Sequence, residues 1–216
     1  MRLSNVLTAA AFSAGAALLT FGFNQASAET RSFPLSNFDA IDASAGVHVI
    51  LKQGPFAVSV EEPDGRFDAL KMNVEGHKLY VGRQPNIGER RGRGPNFTVT
   101  VTAPNFTGVA ASSGSHVQAA SLSAKRFEAA VSSGAHADFK GACTDLSVNT
   151  SSGASFDGEA LKCEAATVSA SSGSSANAFA SRAATGAASS GARVTFHGQP
   201  ATVTKSASSG GSVIAR

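Results

Sequence analysis

Ser-Ser-Gly occurs six times in the second half of this chain, ending at Gly114, Gly134, Gly153, Gly173, Gly191 and Gly210, at steps of 20, 19, 20, 18 and 19 residues. A disordered Ser-rich linker keeps no such period, so the chain must fold as a series of stacked units. After each glycine, small or apolar side chains take alternate positions: Val117 and Ala119; Ala135, Ala137 and Phe139; Ala154 and Phe156; Ala176 and Ala178; Ala192, Val194 and Phe196. A period of two means strand, with these residues facing inward. Between them lie His116 and Gln118, His136 and Asp138, Ser155 and Asp157, Ser175 and Asn177, and Arg193 and Thr195, which face out.

About 19 residues is too short for a unit of two packed helices but suits one coil of a parallel β-helix. The expected fold is therefore all-β, a right-handed parallel β-helix, the hand following the strong preference of parallel crossovers. Equivalent residues should stack in columns at about 4.8 Å. The six glycines should form one such column, because a sharp corner repeated in every coil calls for positive φ, which glycine adopts at least cost.

Residues 29–108 lack the motif but are rich in alternating strands, such as Val47, Val49 and Leu51, or Phe97, Val99 and Val101. They are expected to form irregular first coils or a cap over the apolar end of the stack. Residues 1–28 read as a signal peptide: Arg2, an uncharged stretch from Val6 to Phe23, then Ala26-Ser27-Ala28 as a cleavage site. Removing them from 216 residues leaves 188, enough for a single domain over residues 29–216. No later segment is long and apolar enough to span a bilayer as a helix. The expected location is beyond the inner membrane: periplasmic, attached to the outer membrane, or extracellular.

Several segments together carry a resemblance. They are Phe38-Asp39-Ala40-Ile41, the run Val47-His48-Val49-Ile50-Leu51-Lys52-Gln53-Gly54, Val58-Ser59-Val60, Leu79-Tyr80-Val81, and Val99-Thr100-Val101-Thr102-Ala103-Pro104, followed by the serial Ser-Gly units. With these the chain resembles the putative auto-transporter adhesin head domain, or GIN domain, a domain of unknown function in exported bacterial proteins. The resemblance runs from about Phe33 to the C-terminus. It implies a β-helical fold, an envelope location and an adhesin-like role, and it brings no catalytic or binding residues with it.

The residues themselves offer few chemical constellations. His116 and His136 share an offset from their glycines and should be neighbours, with Asp138 and Asp157 two positions along. A flat strand face splays such side chains, so a solvated face is expected rather than a metal site. His48, His77 and His197 fall outside this pattern. Calcium-binding nonapeptide rolls need a Gly-x-Asp turn in each half-coil, which is missing. The 15 acidic residues are thinly spread, against the converging acids of a β-helical polysaccharide-processing enzyme, which is the alternative function. No catalytic residue and no cofactor is expected.

With no Trp and one Tyr the chain lacks an obvious aromatic platform, and its fourteen Phe are assigned to the core. The glycine- and proline-rich run holding Arg90, Arg91 and Arg93 is the weak candidate for contact with an anionic surface. A formal charge of +3 gives no case for nucleic acid. Cys143 and Cys163 lie eight residues before Ser151 and Ser171, at one register in adjacent coils, so a disulfide or two buried thiols are both open. The functional expectation is an exported, non-catalytic binding or structural module whose ligand is an unidentified envelope or surface protein or glycan; its oligomeric state is open.

Overall fold

The structure is a computed structural model, which describes residues 29–84 and 94–216. The proposed signal peptide and Arg90, Arg91 and Arg93 lie outside the described residues. The strands are β1 (Glu29–Phe33), β2 (Ala40–Ala43), β3 (His48–Gln53), β4 (Ala57–Glu62), β5 (Leu70–Glu75), β6 (Lys78–Arg83), β7 (Thr98–Ala103) and β8 (Gly108–Ala111). They continue with β9 (His116–Val131), β10 (His136–Thr150), β11 (Ser155–Ala170), β12 (Ser175–Ala188), β13 (Arg193–His197), β14 (Thr202–Ala207) and β15 (Ser212–Ala215). One 3-10 turn at Phe67–Ala69 precedes β5.

These strands stack as the coils of a β-solenoid. The long strands β9 to β12 pair in parallel with one another, and β13, β14 and β15 complete the last turns. Each long strand is bent into three straight runs: on β10 and β11 these pair as 136–138 with 155–157, 141–143 with 161–163, and 145–150 with 165–170. Register shifts fall only at the bends between runs. Coils of 18, 19 and 20 residues therefore share one set of columns, because the surplus or missing residues are taken up where the chain turns.

The glycines do stack. Gly114, Gly134, Gly153 and Gly173 each donate an N–H to the serine carbonyl of the next corner, at 3.0–3.1 Å. The corner is tighter than glycine alone explains, since the preceding serine also lies at positive φ, as with Ser152 at 53° and Gly153 at 70°. Two successive left-handed residues closed by a bond from Ala154 N to Ser151 O make a type I′ turn. A seventh corner went unrecognised in the sequence: Ala45 and Gly46, at φ 58° and 75°, turn the chain between β2 and β3 in the same way.

In the N-terminal part the order in space differs from the order in sequence. β2 lies between β6 and β8, and β3 between β7 and β9, all in parallel, so β2 and β3 make a coil directly below the regular repeats. The chain then leaves to build the outermost layer and returns at β8. Antiparallel strands close that end: β4 on β7, β1 on β4 and β5 on β6.

The core is the inward columns, from Ile41 and Leu79 at one end to Val194 and Phe196 at the other. Phe139 packs against Phe127 and Phe156, with ring centroids 5.0 and 5.9 Å apart, across the interior of the coil. Each such burial is worth roughly 1.5–3 kcal/mol.

Candidate functional site

The outward face that follows the corners has been built from three histidines rather than two. His48 on β3, His116 on β9 and His136 on β10 are successive partners in register. The rings of His48 and His116 stack with centroids 4.9 Å apart, and His136 meets His116 edge-on at 6.4 Å. The signal was present in the sequence, for His48 stands two residues after Gly46 just as His116 and His136 stand two after Gly114 and Gly134. His48 is thus no outlier. Burial of its ring and the neighbouring His116 hold its pKa below the ordinary value, and its Nε2 is buried without a hydrogen-bond partner.

Asp138 belongs to the next column and engages His116, with Nε2 to Oδ2 at 2.8 Å. Asp157, beside Asp138 in register, instead accepts the backbone N–H of Glu159 at 3.2 Å. The two carboxylates therefore serve different partners. Among the described residues no group of three or more His, Cys, Asp or Glu converges on a point where a metal could sit. His77 occupies the turn between β5 and β6, and His197 faces Glu159 at 3.5 Å.

Cys143 and Cys163 are direct strand partners and are joined as a disulfide, with Cα atoms 4.4 Å apart. Both are buried. The bond ties β10 to β11 on the middle run of the coil.

Two concavities lie along the solenoid. One is a trough of about 500 Å³ following the corner column, floored by Ser112, Ser132, Ser151, Ser171, Ser189 and the alanines between them. The other is a hollow of about 930 Å³ where the cap meets the regular coils. Phe38, Phe56, Pro104 and Phe106 give it an apolar side, Asn105, Thr107, Ser123 and Thr144 add amide and hydroxyl groups, and Lys125 and Arg126 stand at its edge. Assignment of the phenylalanines to the core holds for most of them and fails at Phe56, which is 39% exposed and rests against buried Phe38 with centroids 5.2 Å apart.

Beneath the cap is a buried carboxylate that sequence reading had passed over. Glu62, at the end of β4, is fully buried and accepts backbone N–H bonds from Asp64 and Arg66 at 2.8 Å and from Asn96 at 3.4 Å. The Arg66 guanidinium lies 3.3 Å away. Burial pushes the Glu62 pKa up, but the three N–H donors and the Arg66 charge outweigh it and hold the carboxyl below the ordinary range. Glu62 is a staple joining two loops of the cap, not an acid poised for catalysis.

The sequence profile of the family described as "Putative auto-transporter adhesin, head GIN domain" matches residues 37–200. A search of curated proteins finds no match. Among solved structures, a putative adhesin from Bacteroides fragilis superposes with a TM-score of 0.70 at 14% identity, covering 88% of this chain and 97% of that one. A putative adhesin from Parabacteroides merdae gives 0.53 at 12% identity, with 89% and 97% covered. A putative lipid binding protein from Parabacteroides distasonis gives 0.51 at 15% identity, with 89% and 98% covered. At such identities these likenesses speak to the fold alone, whereas the profile identifies the lineage: the chain belongs to the putative auto-transporter adhesin, head GIN domain family.

Proposed function

We propose that this protein is an exported, non-catalytic binding module, adhesin-like, that holds a component of the cell envelope or its surroundings on a rigid face. The observation that carries this reading is the registered stack itself. Four long strands, β9 to β12, fix outward side chains in columns over coil after coil, and two open concavities run beside them. A surface of that kind is preorganised for an extended partner, so little ordering opposes binding. Family membership and the putative adhesins among its structural neighbours support the same class.

The test is to incubate the purified protein with envelope and exopolysaccharide preparations, measuring both retention and released fragments. Retention without release is the expected result. Fragment release that survives purification and disappears on replacing Asp138 or Asp157 would overturn it in favour of a polysaccharide-processing enzyme. Loss of retention at high salt and in a variant lacking Arg90, Arg91 and Arg93 would place part of the contact on that arginine run.

A further inference from the structure

The hollow between cap and coils carries a more specific reading, which rests on the binding function just proposed. On its N-terminal side β9 pairs with β3 through Ala119 and with β8 from Glu128. Between those points no strand among the described residues lies beside it on that side, β10 holding the other. A side chain takes the strand's place: Gln53, the last residue of β3, donates from Nε2 to Ser123 O and accepts from Ser123 N, both at 2.9 Å. The turn that follows, Gly54-Pro55-Phe56, is tied down by Gly54 N to Ala103 O at 3.0 Å. Opposite, Thr107 N and Oγ1 both donate to Asp39 O, at 2.7 and 3.2 Å. Next to Cys143, the disulfide holds the neighbouring coil. The walls of the hollow are thus held before any ligand arrives, as a recognition site requires.

Its chemistry is mixed in a particular way. Phe56 is the one exposed phenylalanine among the described residues, and it shares the hollow with two exposed cations. Among the described residues Lys125 and Arg126 make no ion pair. Among the described residues the nearby carboxylates are Asp39 in the lining, Asp145, opposite Arg126 in register, and Glu128, two residues along β9 on the same face, and none of them is ion-paired with Lys125 or Arg126. An acyl chain would leave Asn105, Thr107, Ser123 and Thr144 desolvated without new hydrogen bonds. A pyranose ring can lay its C–H face on a phenyl ring and satisfy those groups with its hydroxyls. The cations Lys125 and Arg126 in the lining add a preference for negative charge, and Arg in particular matches a carboxylate through paired N–H donors.

We infer that the hollow lined by Phe56, Thr107, Ser123, Lys125 and Arg126 binds a carboxylated saccharide, with the sugar ring on Phe56 and its carboxylate at Lys125 and Arg126.

The test uses tetragalacturonate as the acidic probe, cellotetraose as the neutral one and anionic phospholipid vesicles as a third, titrated into the 15N-labelled protein and into Phe56→Ala and Lys125→Ala/Arg126→Ala variants. Lys125 and Arg126 are exposed and Phe56 partly so, so the variants are expected to stay folded, Phe56→Ala losing only its contact with Phe38, and thermal midpoints are checked first. Tetragalacturonate should bind about tenfold more tightly than cellotetraose, a difference of about 1.4 kcal/mol, and each variant should lose about tenfold or more. Amide shifts should cluster at Phe56, Thr107, Ser123, Lys125 and Arg126. Equal affinity for the two sugars, shifts elsewhere, unaltered binding by the variants, no saturable binding of tetragalacturonate, or preference for the vesicles would each overturn the inference. The two readings fail separately: envelope retention by wild type that persists in both variants rejects this site and leaves the binding module standing, whereas wild type that is not retained rejects the module.

Discussion

Two glycines of the same strand system should respond very differently to one methyl group. Gly153 sits at a corner with φ of 70°, and an added Cβ would meet nothing within 4 Å. Gly153→Ala therefore incurs only the left-handed backbone penalty of about 1–2 kcal/mol, part of which is offset by the stiffer unfolded chain. A net loss of about 1 kcal/mol lowers the melting temperature of a domain this size by roughly 2–4 °C. Gly141 lies at a bend, with φ of 137°, and its Cβ would fall 2.6 Å from the backbone N of Leu122 and 2.8 Å from its carbonyl carbon. Those atoms belong to the adjacent coil and cannot rotate away, so backbone strain of about 1–3 kcal/mol is joined by overpacking of about 1–3 kcal/mol or more. Gly141→Ala should thus cost about 4 kcal/mol and lower the midpoint by roughly 10 °C or prevent folding. Urea unfolding followed by circular dichroism and by amide signals from each coil provides the measurement. Equal costs at the two sites, or a greater cost at Gly153, would refute the assignment of corner strain to one and coil contact to the other.

Reducing the Cys143–Cys163 bond, or replacing both residues by serine, should lower stability by about 3 kcal/mol, the closure entropy of a loop of this length; thermal melts with and without reductant measure it. Glu62→Ala strands three backbone donors, while Arg66 keeps Asp64 at 2.9 Å, and should cost about 3–5 kcal/mol, with Glu62→Gln milder. Because the folded Glu62 pKa is depressed, its contribution is complete above the ordinary carboxylate value of 4.5 and is lost as pH falls through the folded value, so the gap between wild type and Glu62→Gln should close in acid. His48 has the same sign, since its folded pKa lies below 6.5: its contribution is present above that pH and is lost as pH falls through the folded value. Melting temperatures of wild type should therefore drop more steeply below pH 6.5 than those of His48→Gln.

The regular coils were legible in the sequence because a single constraint recurs in each. The I′ corner admits few residues, so Ser-Ser-Gly marks it, and the alternation that follows can point in only one direction. Ser44-Ala45-Gly46 escaped notice because the corner tolerates Ala45 at φ 58° where the other coils have serine, and a search by letters does not see a conserved dihedral angle. With that corner missed, His48 stayed detached from His116 and His136, although its offset from Gly46 matched theirs. The placement of β6 and β7 was out of reach for a different reason. Alternation identifies them as strands, but the order of coils in space depends on which edges pair, and β2 and β3 each accept a partner from later in the chain on both sides.

The same distinction explains why the candidate binding site lies at a junction and could not be read from periodicity. Within the stack, every backbone edge of a coil is taken by its neighbours and every inward position is filled, so the repeat specifies a surface and leaves little room for a cavity. The corner trough follows the surface of the stack, whereas the hollow opens where a coil loses its neighbour. β9 is longer than the combined reach of β3 and β8, and among the described residues the mismatch leaves its bend at 120–127 without a strand on the cap side, while β10 pairs with it on the other. Gln53 covers part of that gap with two side-chain bonds, and the turn after it carries Phe56 into the space that a further strand would have filled. Phe56 is therefore exposed for a topological reason, whereas Phe127, Phe139, Phe156 and Phe196 of the repeats are buried inside the ladder. Lys125 and Arg126 stand beside it because they occupy the bend of β9, the long strand that pairs with β3 and β8. Each residue of the hollow is unremarkable in the sequence, and their convergence follows from the difference in length between one strand and the two that flank it.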